Sequence, residues 1–304
     1  MSDVMHWQTN RFVIRLDRPQ VMGIVNATPD SFFDGGRHGP AGAAMAYCEQ
    51  LLQEGADILD IGGESTRPGA QQPGLEEELA RVLPVLRHAV RLGVPVSVDT
   101  SRPEVIRAAL DLGVDIINDV RALVRRDALA TVAAHPRCGV CLMHMQGEPG
   151  AMQQAPAYAV DVVAEVIAWL RQRVGQVRDA GVALNRIAID PGIGFGKTAE
   201  HNWALLQRQE ELRALGLPML LGWSRKSALG ALTGRPVEQR LVASVVAALA
   251  SVQRGAQVVR VHDVAATVDA IKVWRAAGLL PSVMGGDDDR VQGITPDEKT
   301  IFRH

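Results

Sequence analysis

Eight short apolar runs recur along this 304-residue chain, and a helix-like stretch follows each of them. The runs cover residues 21–28, 56–63, 94–100, 115–120, 139–144, 187–192, 218–223 and 257–263. They are rich in Val, Ile and Leu with little polar alternation, which suits parallel strands covered on both faces. Residues 41–54, 75–92, 103–112, 158–180, 200–215, 236–254 and 264–277 carry apolar side chains at helical spacing, and 126–134 supplies a shorter stretch. Eight strand-then-helix units without a second pattern predict an α/β fold, a single-domain (β/α)8 TIM barrel over residues 21–280. A doubly wound sheet is the alternative, but it rarely needs eight such even units.

The flanks read differently. Residues 1–20 form an N-terminal extension in which RFVIRL (11–16) alternates, as a hairpin strand capping the barrel bottom does. From residue 281 the chain holds GGDDDR and few apolar residues, so 281–304 reads as a flexible C-terminal tail.

Composition narrows the function classes. The 32 Lys and Arg against 34 Asp and Glu leave a net charge of −2, which argues against a nucleic-acid partner. With 47% hydrophobic and 22% charged residues, wholesale disorder is excluded. No apolar run approaches the ~18 residues of a membrane span. The opening MSDVMHWQTNRF lacks the basic and apolar regions of a secretory signal, and three cysteines cannot make a disulfide framework. A reduced, cytoplasmic protein without a membrane partner is expected.

In such a barrel the chemistry sits at the C-terminal ends of the strands. Polar residues fall there at nearly every strand: Asn26 before TPDSFFDGG, then GGESTRPG, Asp99, Asn118 with Asp119, and His144. Asp190 before PGIGFGK, the SRKS segment, and Arg260, His262 and Asp263 complete the set. Helix caps and turns explain any one of them, but caps do not call for Lys, Arg and His on the same rim.

Two clusters separate by chemistry. Asp99, Asn118 and Asp190 are short polar groups ending apolar strands. Such a set can read a flat heterocycle that presents an amino group beside a ring N–H, or it can serve as inward-facing caps. Arg67, Lys226, Arg260 and His262, with Asn26, form the second cluster. Loops after strands seven and eight often bind phosphate in barrels, and Lys226 and Ser227 open a helix. Asn26 offers a neutral oxygen to Mg²⁺, which takes few protein groups beside substrate phosphate. The alternative is salt bridging to Glu64, Asp34 or Asp263.

Other patterns fail on spacing. GIGFGK (192–197) has neither the GxGxxG nor the GxxxxGK[ST] spacing. His135, Cys138, Cys141 and His144 recur every three residues. Along a strand, that alternates faces and spreads neighbours ~10 Å apart, too far for tetrahedral zinc. There is no G-x-S-x-G elbow, so nucleophilic catalysis is disfavoured.

At this point the motifs resemble a known family, the dihydropteroate synthases. The likeness covers about residues 20–278 and rests on seven blocks in order. These are GIVNATPDSFFDGG (23–36), DIGGESTRPGA (60–70), VSVDTSRPEV (96–105), INDVR (117–121), DPGIGFGKT (190–198), GWSRKS (222–227) and RVHDV (260–264). Ala27, Phe33 and Trp223 depart from the common pattern without removing a functional group.

The resemblance implies a transferase that joins 6-hydroxymethyl-7,8-dihydropterin diphosphate to p-aminobenzoate in folate biosynthesis, with Mg²⁺ as cofactor and sulfonamides as inhibitors. It implies that Asp190 and Asn118 hold the pterin's amino-pyrimidine edge and Asp99 a ring N–H. Lys226 and Gly222 would also face the pterin, with Met143 and Phe195 packing on the ring. Asn26 would take Mg²⁺, and Arg67, Arg260 and His262 the diphosphate. Thr66, Arg67, Pro68, Phe195, Lys226 and Ser227 would line the p-aminobenzoate site. It further suggests a homodimer, for which the Ala/Val-rich helices 236–254 and 264–277 have surface to spare. Two other readings share the pterin barrel. A methyltetrahydrofolate:corrinoid methyltransferase has no need of Lys226, Arg260 and His262 for a diphosphate. A non-catalytic pterin-binding paralogue would be signalled by loss of Asn26, Arg67 or Lys226, and all three are present.

If Cys138 and Cys141 are structural thiols, replacing both by Ser should leave Mg²⁺-dependent activity intact, with a modest stability loss. Metal analysis of the purified protein checks this, and stoichiometric zinc lost in the double variant would overturn it.

Overall fold

The computed structural model of the chain describes residues 4–28, 40–64, 72–147, 152–153, 156–280 and 292–293. Two short antiparallel strands come first, β1 (His6–Gln8) and β2 (Phe12–Arg15). The eight apolar runs then form β3 (Gln20–Asn26), β4 (Ile58–Gly62), β5 (Val96–Asp99), β6 (Ile116–Asp119), β7 (Gly139–Met143), β8 (Ile187–Asp190), β9 (Leu220–Leu221) and β10 (Val258–Val261). Each pairs in parallel with the next through β8, and β10 lies between β9 and β3. One parallel bridge, Ile189 with Met219, draws β8 to β9, and the Ile189 amide donates to the Pro218 carbonyl at 2.8 Å. The result is a nearly closed TIM barrel.

Around it lie α1 (Pro40–Gln53), α2 (Leu75–Ala89), α3 (Pro103–Asp111), α4 (Ala128–Ala134), α5 (Val162–Asp179), α6 (Ala199–Gln207), α7 (Ser227–Thr233), α8 (Leu241–Gln253) and α9 (Val264–Ala276). Helical spacing over-reads four of them: α2 stops at Ala89, three residues short of the expected 92. Asp161 caps α5 by accepting from the Val163 amide at 2.9 Å, so 158–160 lie outside the helix. The stretch 200–215 divides into α6 and a 3₁₀ turn, Gln209–Leu215, that ends at left-handed Gly216. The stretch 236–254 divides likewise, since Pro236 leads into a 3₁₀ turn, Val237–Gln239, before α8 begins. Among the described residues, no helix is long and apolar enough to cross a membrane.

The barrel interior is built in layers, because inward side chains recur every second residue along a strand. Met22, Ile58, Ile116, Cys141, Ala188, Leu220 and Val258 form one buried apolar layer, which continues into Trp7, Ile14 and Leu16 of the hairpin. The hairpin therefore seals the bottom. Trp7 is fully buried and donates its indole N–H to the Arg186 carbonyl at 3.0 Å. Asp115 pins the turn, accepting from the Arg11 amide and from the Val96 amide, each at 2.9 Å. Of the tail, Gln292–Gly293 pairs antiparallel with β2, and the rest of 281–304 lies outside the described residues.

Truncating Trp7 to Ala should cost about 3–5 kcal/mol, the range for a large aromatic lost from a packed core. Urea unfolding measures it, and a cost below 1 kcal/mol would show that the hairpin is not part of the barrel core.

Candidate active site

Two residues above the apolar layer, the inward positions turn polar. Ile58 leads to Asp60, Ser97 to Asp99, Ile116 to Asn118, Ala188 to Asp190 and Val258 to Arg260, while Cys141 leads to Met143 and Leu220 to Gly222. Arg260 ties this layer together. Its Nε donates to Asp60 Oδ2 at 2.6 Å and its Nη2 to Asp99 Oδ2 at 2.8 Å. Asn118 donates from Nδ2 to the same Asp60 oxygen at 3.2 Å. So Asp99, Asn118 and Arg260 do meet, through a carboxylate that sits inside an apolar run.

The electrostatics follow from burial. Burial pushes the Asp99 carboxyl up, Arg260 opposes this, and Asp60, Glu64 and Asp119 add to it. Burial likewise pushes Asp190 up to about 6, against a 2.7 Å hydrogen bond from the Gly192 amide and the charges of Lys226 and Lys197. Burial pulls Lys226 down to about 8, although Asp190 and Asp99 favour its charge. Burial also works against the Arg260 guanidinium, and Asp60 and Asp99 outweigh it, so its pKa rises. These mutual perturbations place Asp99, Asp190, Lys226 and Arg260 at one mouth of the barrel.

One wall of this mouth is apolar. Met143, Phe195, Val120 and Met152 pack together, and Lys226 Nζ lies 4.1 Å from the centre of the Phe195 ring. Backbone geometry holds Phe195 there. Gly192 has φ +73°, and a Cβ on it would overlap the His144 carbonyl oxygen, so only glycine fits. Gly194 lies against Lys226, where a Cβ would come within 2.9 Å of Cδ. Lys197 locks the loop by donating to the Phe195 carbonyl at 3.0 Å, with its Nζ 3.0 Å from His144 Nδ1. Burial lowers both side chains, His144 to about 3 with the Lys197 charge adding to it, and Lys197 to about 7 with Asp190 opposing and Lys226 adding to it.

The remaining candidates lie higher on the rim. Asn26 ends β3, half-buried, and no described residue hydrogen-bonds its side-chain amide. His262 follows β10, with Nδ1 2.9 Å from Ser224 Oγ. Arg225 takes a left-handed φ of 60° just before Lys226. That turn is braced by Asp263, 2.7 Å from Arg225 Nη2, and by Arg240 donating to the Arg225 carbonyl at 3.0 Å. Asp263 therefore pairs with Arg225 rather than with the candidate cations. Ser227 is exposed at the first turn of α7, and Gly222 follows β9 beside Arg260. Thr66, Arg67 and Pro68 lie outside the described residues.

The residues spaced by three scatter. His135 Nδ1 accepts from the Cys138 amide at 3.0 Å, Cys138 Sγ is 3.3 Å from Arg186 Nη2, Cys141 faces the barrel interior, and His144 faces Lys197. Asp60 and Lys197 escaped notice in the sequence. Counting inward positions by twos from Ile58 would have exposed Asp60, whereas nothing local marks Lys197 as the partner of His144.

A family model for pterin-binding enzymes matches residues 22–262. The dihydropteroate synthase of Neisseria meningitidis serogroup B is 55% identical over 279 residues, covering 90% of this chain and 98% of that one. Dihydropteroate synthase of Xanthomonas albilineans, solved with 4-aminobenzoic acid, is 50% identical with a TM-score of 0.83, covering 90% of this chain and all of that one (100%). The Yersinia pestis enzyme, solved with a sulfonamide drug complex, is 44% identical with a TM-score of 0.85, covering 90% and 99%. With the family model spanning most of its length, the chain belongs to the pterin-binding enzymes, and among them to the dihydropteroate synthases.

Proposed function

We propose that the chain condenses 6-hydroxymethyl-7,8-dihydropterin diphosphate with p-aminobenzoate, giving 7,8-dihydropteroate and pyrophosphate. The observation that carries this reading is the acceptor set of buried Asn118 and Asp190 with partly buried Asp99, beside the Lys226–Phe195 pair. A pterin edge presents adjacent N–H donors, and buried carboxylates recognise such an edge strongly. Met143 and Phe195 supply the apolar wall for the ring. Arg260 keeps Nη1 without a described partner after binding Asp60 and Asp99, which leaves it a donor for an incoming diphosphate, and His262 and Arg67 would share that role. Lys226 and Ser227, with Thr66 and Pro68, would receive p-aminobenzoate, and a sulfonamide would occupy the same place.

Asn26 fits a hard divalent cation. Its amide oxygen is neutral and accessible at the rim, and among the described residues no group of three His, Cys, Asp or Glu could hold a metal. A cation here would rest on one protein oxygen and on substrate phosphate, as Mg²⁺ commonly does. Bound there, Mg²⁺ would stabilise charge on the leaving pyrophosphate.

The chain's own groups favour a dissociative displacement. An electron-rich dihydropterin spreads positive charge from its exocyclic methylene as pyrophosphate departs. Asp190 and Asp99 stabilise that cation electrostatically, and Arg260 and His262 stabilise the leaving group. The arylamine is neutral near pH 7 and attacks without a strong base. Val242 and Val246 of α8 and Val273 of α9 are 59–74% exposed, an apolar face suited to a homodimer. Three free, buried thiols suit a reducing cytoplasm.

Pyrophosphate release should require both substrates and Mg²⁺. Release from the pterin diphosphate at the same rate without the arylamine would overturn the transferase reading.

Asp190→Asn should weaken binding of a pterin analogue by about 1.5–3 kcal/mol, the range for a charged hydrogen bond. The pH dependence has a definite sign. Because Asp190 is raised to about 6, its carboxylate is present above that pH and lost below it. Affinity should therefore fall as pH drops through about 6, and the variant should lose that share of the dependence. Calorimetry checks both, and unchanged affinity would remove Asp190 from the site.

A further inference from the structure

We propose that Asp60 is a positioning residue that fixes the side-chain amide of Asn118, and thereby makes the site select a 2-amino pterin over its 2-oxo counterpart. This rests on the reading of Asn118 and Asp190 as the groups that meet the pterin edge.

Asp60 is fully buried on β4, one inward position above Ile58. Its Oδ2 accepts from Arg260 Nε at 2.6 Å and from Asn118 Nδ2 at 3.2 Å. A carboxylate held by a guanidinium is an acceptor only, whereas a carboxamide has one donor end and one acceptor end. Rotating the Asn118 amide by half a turn would set its oxygen against Asp60 Oδ2, with no proton between two lone-pair-bearing atoms. Asp60 therefore claims the donor end.

That leaves Asn118 Oδ1, which has no hydrogen-bond partner among the described residues although the side chain is almost wholly buried at 5% exposure. The atom offered to a ligand is an acceptor, and the flanking carboxyls of Asp99 and Asp190 are acceptors as well. Three acceptors in one layer match an exocyclic amino group beside a ring N–H. A carbonyl in place of the amino group would face oxygen with oxygen. One unmatched buried polar contact corresponds to roughly 10–100-fold in affinity.

The test compares pterin with lumazine, its 2-oxo analogue, by calorimetry on the wild-type protein and two variants. The wild type should prefer pterin. Asp60→Ala removes the acceptor and lets the Asn118 amide turn, so the preference should fall at least ~10-fold, with lumazine binding undiminished. Asp60→Asn can place its carbonyl oxygen where Oδ2 stands, so it should keep a preference close to that of the wild type. A merely structural role would weaken both ligands together and leave their ratio unchanged. A wild-type ratio in Asp60→Ala, or an equal loss in Asp60→Asn, overturns the proposal. A wild-type protein with no preference overturns instead the assignment of Asn118 and Asp190 to the pterin edge. Should Asp60→Ala fail to fold, neutron diffraction on the wild type decides. Amide deuterons of Asn118 on the Asp60 side support the proposal, and the carbonyl oxygen on that side overturns it.

Discussion

A guanidinium held between a fully buried carboxylate and a partly buried one lets the mouth of this barrel be polar. Arg260 spans Asp60 and Asp99, and without it those carboxylates would face each other in a water-poor space. Removing one partner of such a pair typically costs about 3–5 kcal/mol, because an uncompensated charge stays buried. Everything else in the layer is arranged around that contact. Asn118 hangs from Asp60, and Lys226 and Asp190 sit within reach of the same charges.

Stability and chemistry occupy opposite ends of the molecule. The hairpin and the first inward layer make a dry base, in which Trp7, Ile14, Met22, Ile58 and Ile116 leave no exposed surface. One step of two residues along each strand then carries the interior from hydrocarbon to carboxylate. The base fixes where each strand stands, and so fixes Asp60, Asp99, Asn118, Asp190 and Arg260 relative to one another. Side chains set on strands are held more tightly than side chains set on loops.

Where loops do reach the mouth, left-handed turns and buried charge hold them. Left-handed Gly192 lets the chain pass the His144 carbonyl, and Lys197 ties the far side of the same loop to His144 and Phe195. Left-handed Arg225 turns the chain into Lys226, with Asp263 and Arg240 bracing it. Such conformations persist only where the surroundings over-determine them, and here the product is a fixed Lys226 over a fixed Phe195.

Sequence alone determined the barrel and most of its rim. Eight apolar runs are legible because strands buried on both faces need nearly continuous hydrocarbon, and Asp99, Asn118, Asp190 and Arg260 stand out because they interrupt it at the strand ends. Helix ends were less legible: Asp161, Arg208 and Arg240 break helices by local geometry inside apolar periodicity that runs on past them. Only the tertiary structure showed that Arg260 is shared by Asp60 and Asp99, and that Lys197 meets His144. Asp60 lies within a strand whose face becomes known once register is set. Lys197 and His144 are 53 residues apart on neighbouring loops, brought together by barrel closure rather than by any local pattern. Periodicity is a property of one segment, whereas a pairing between buried charges belongs to the whole closed sheet.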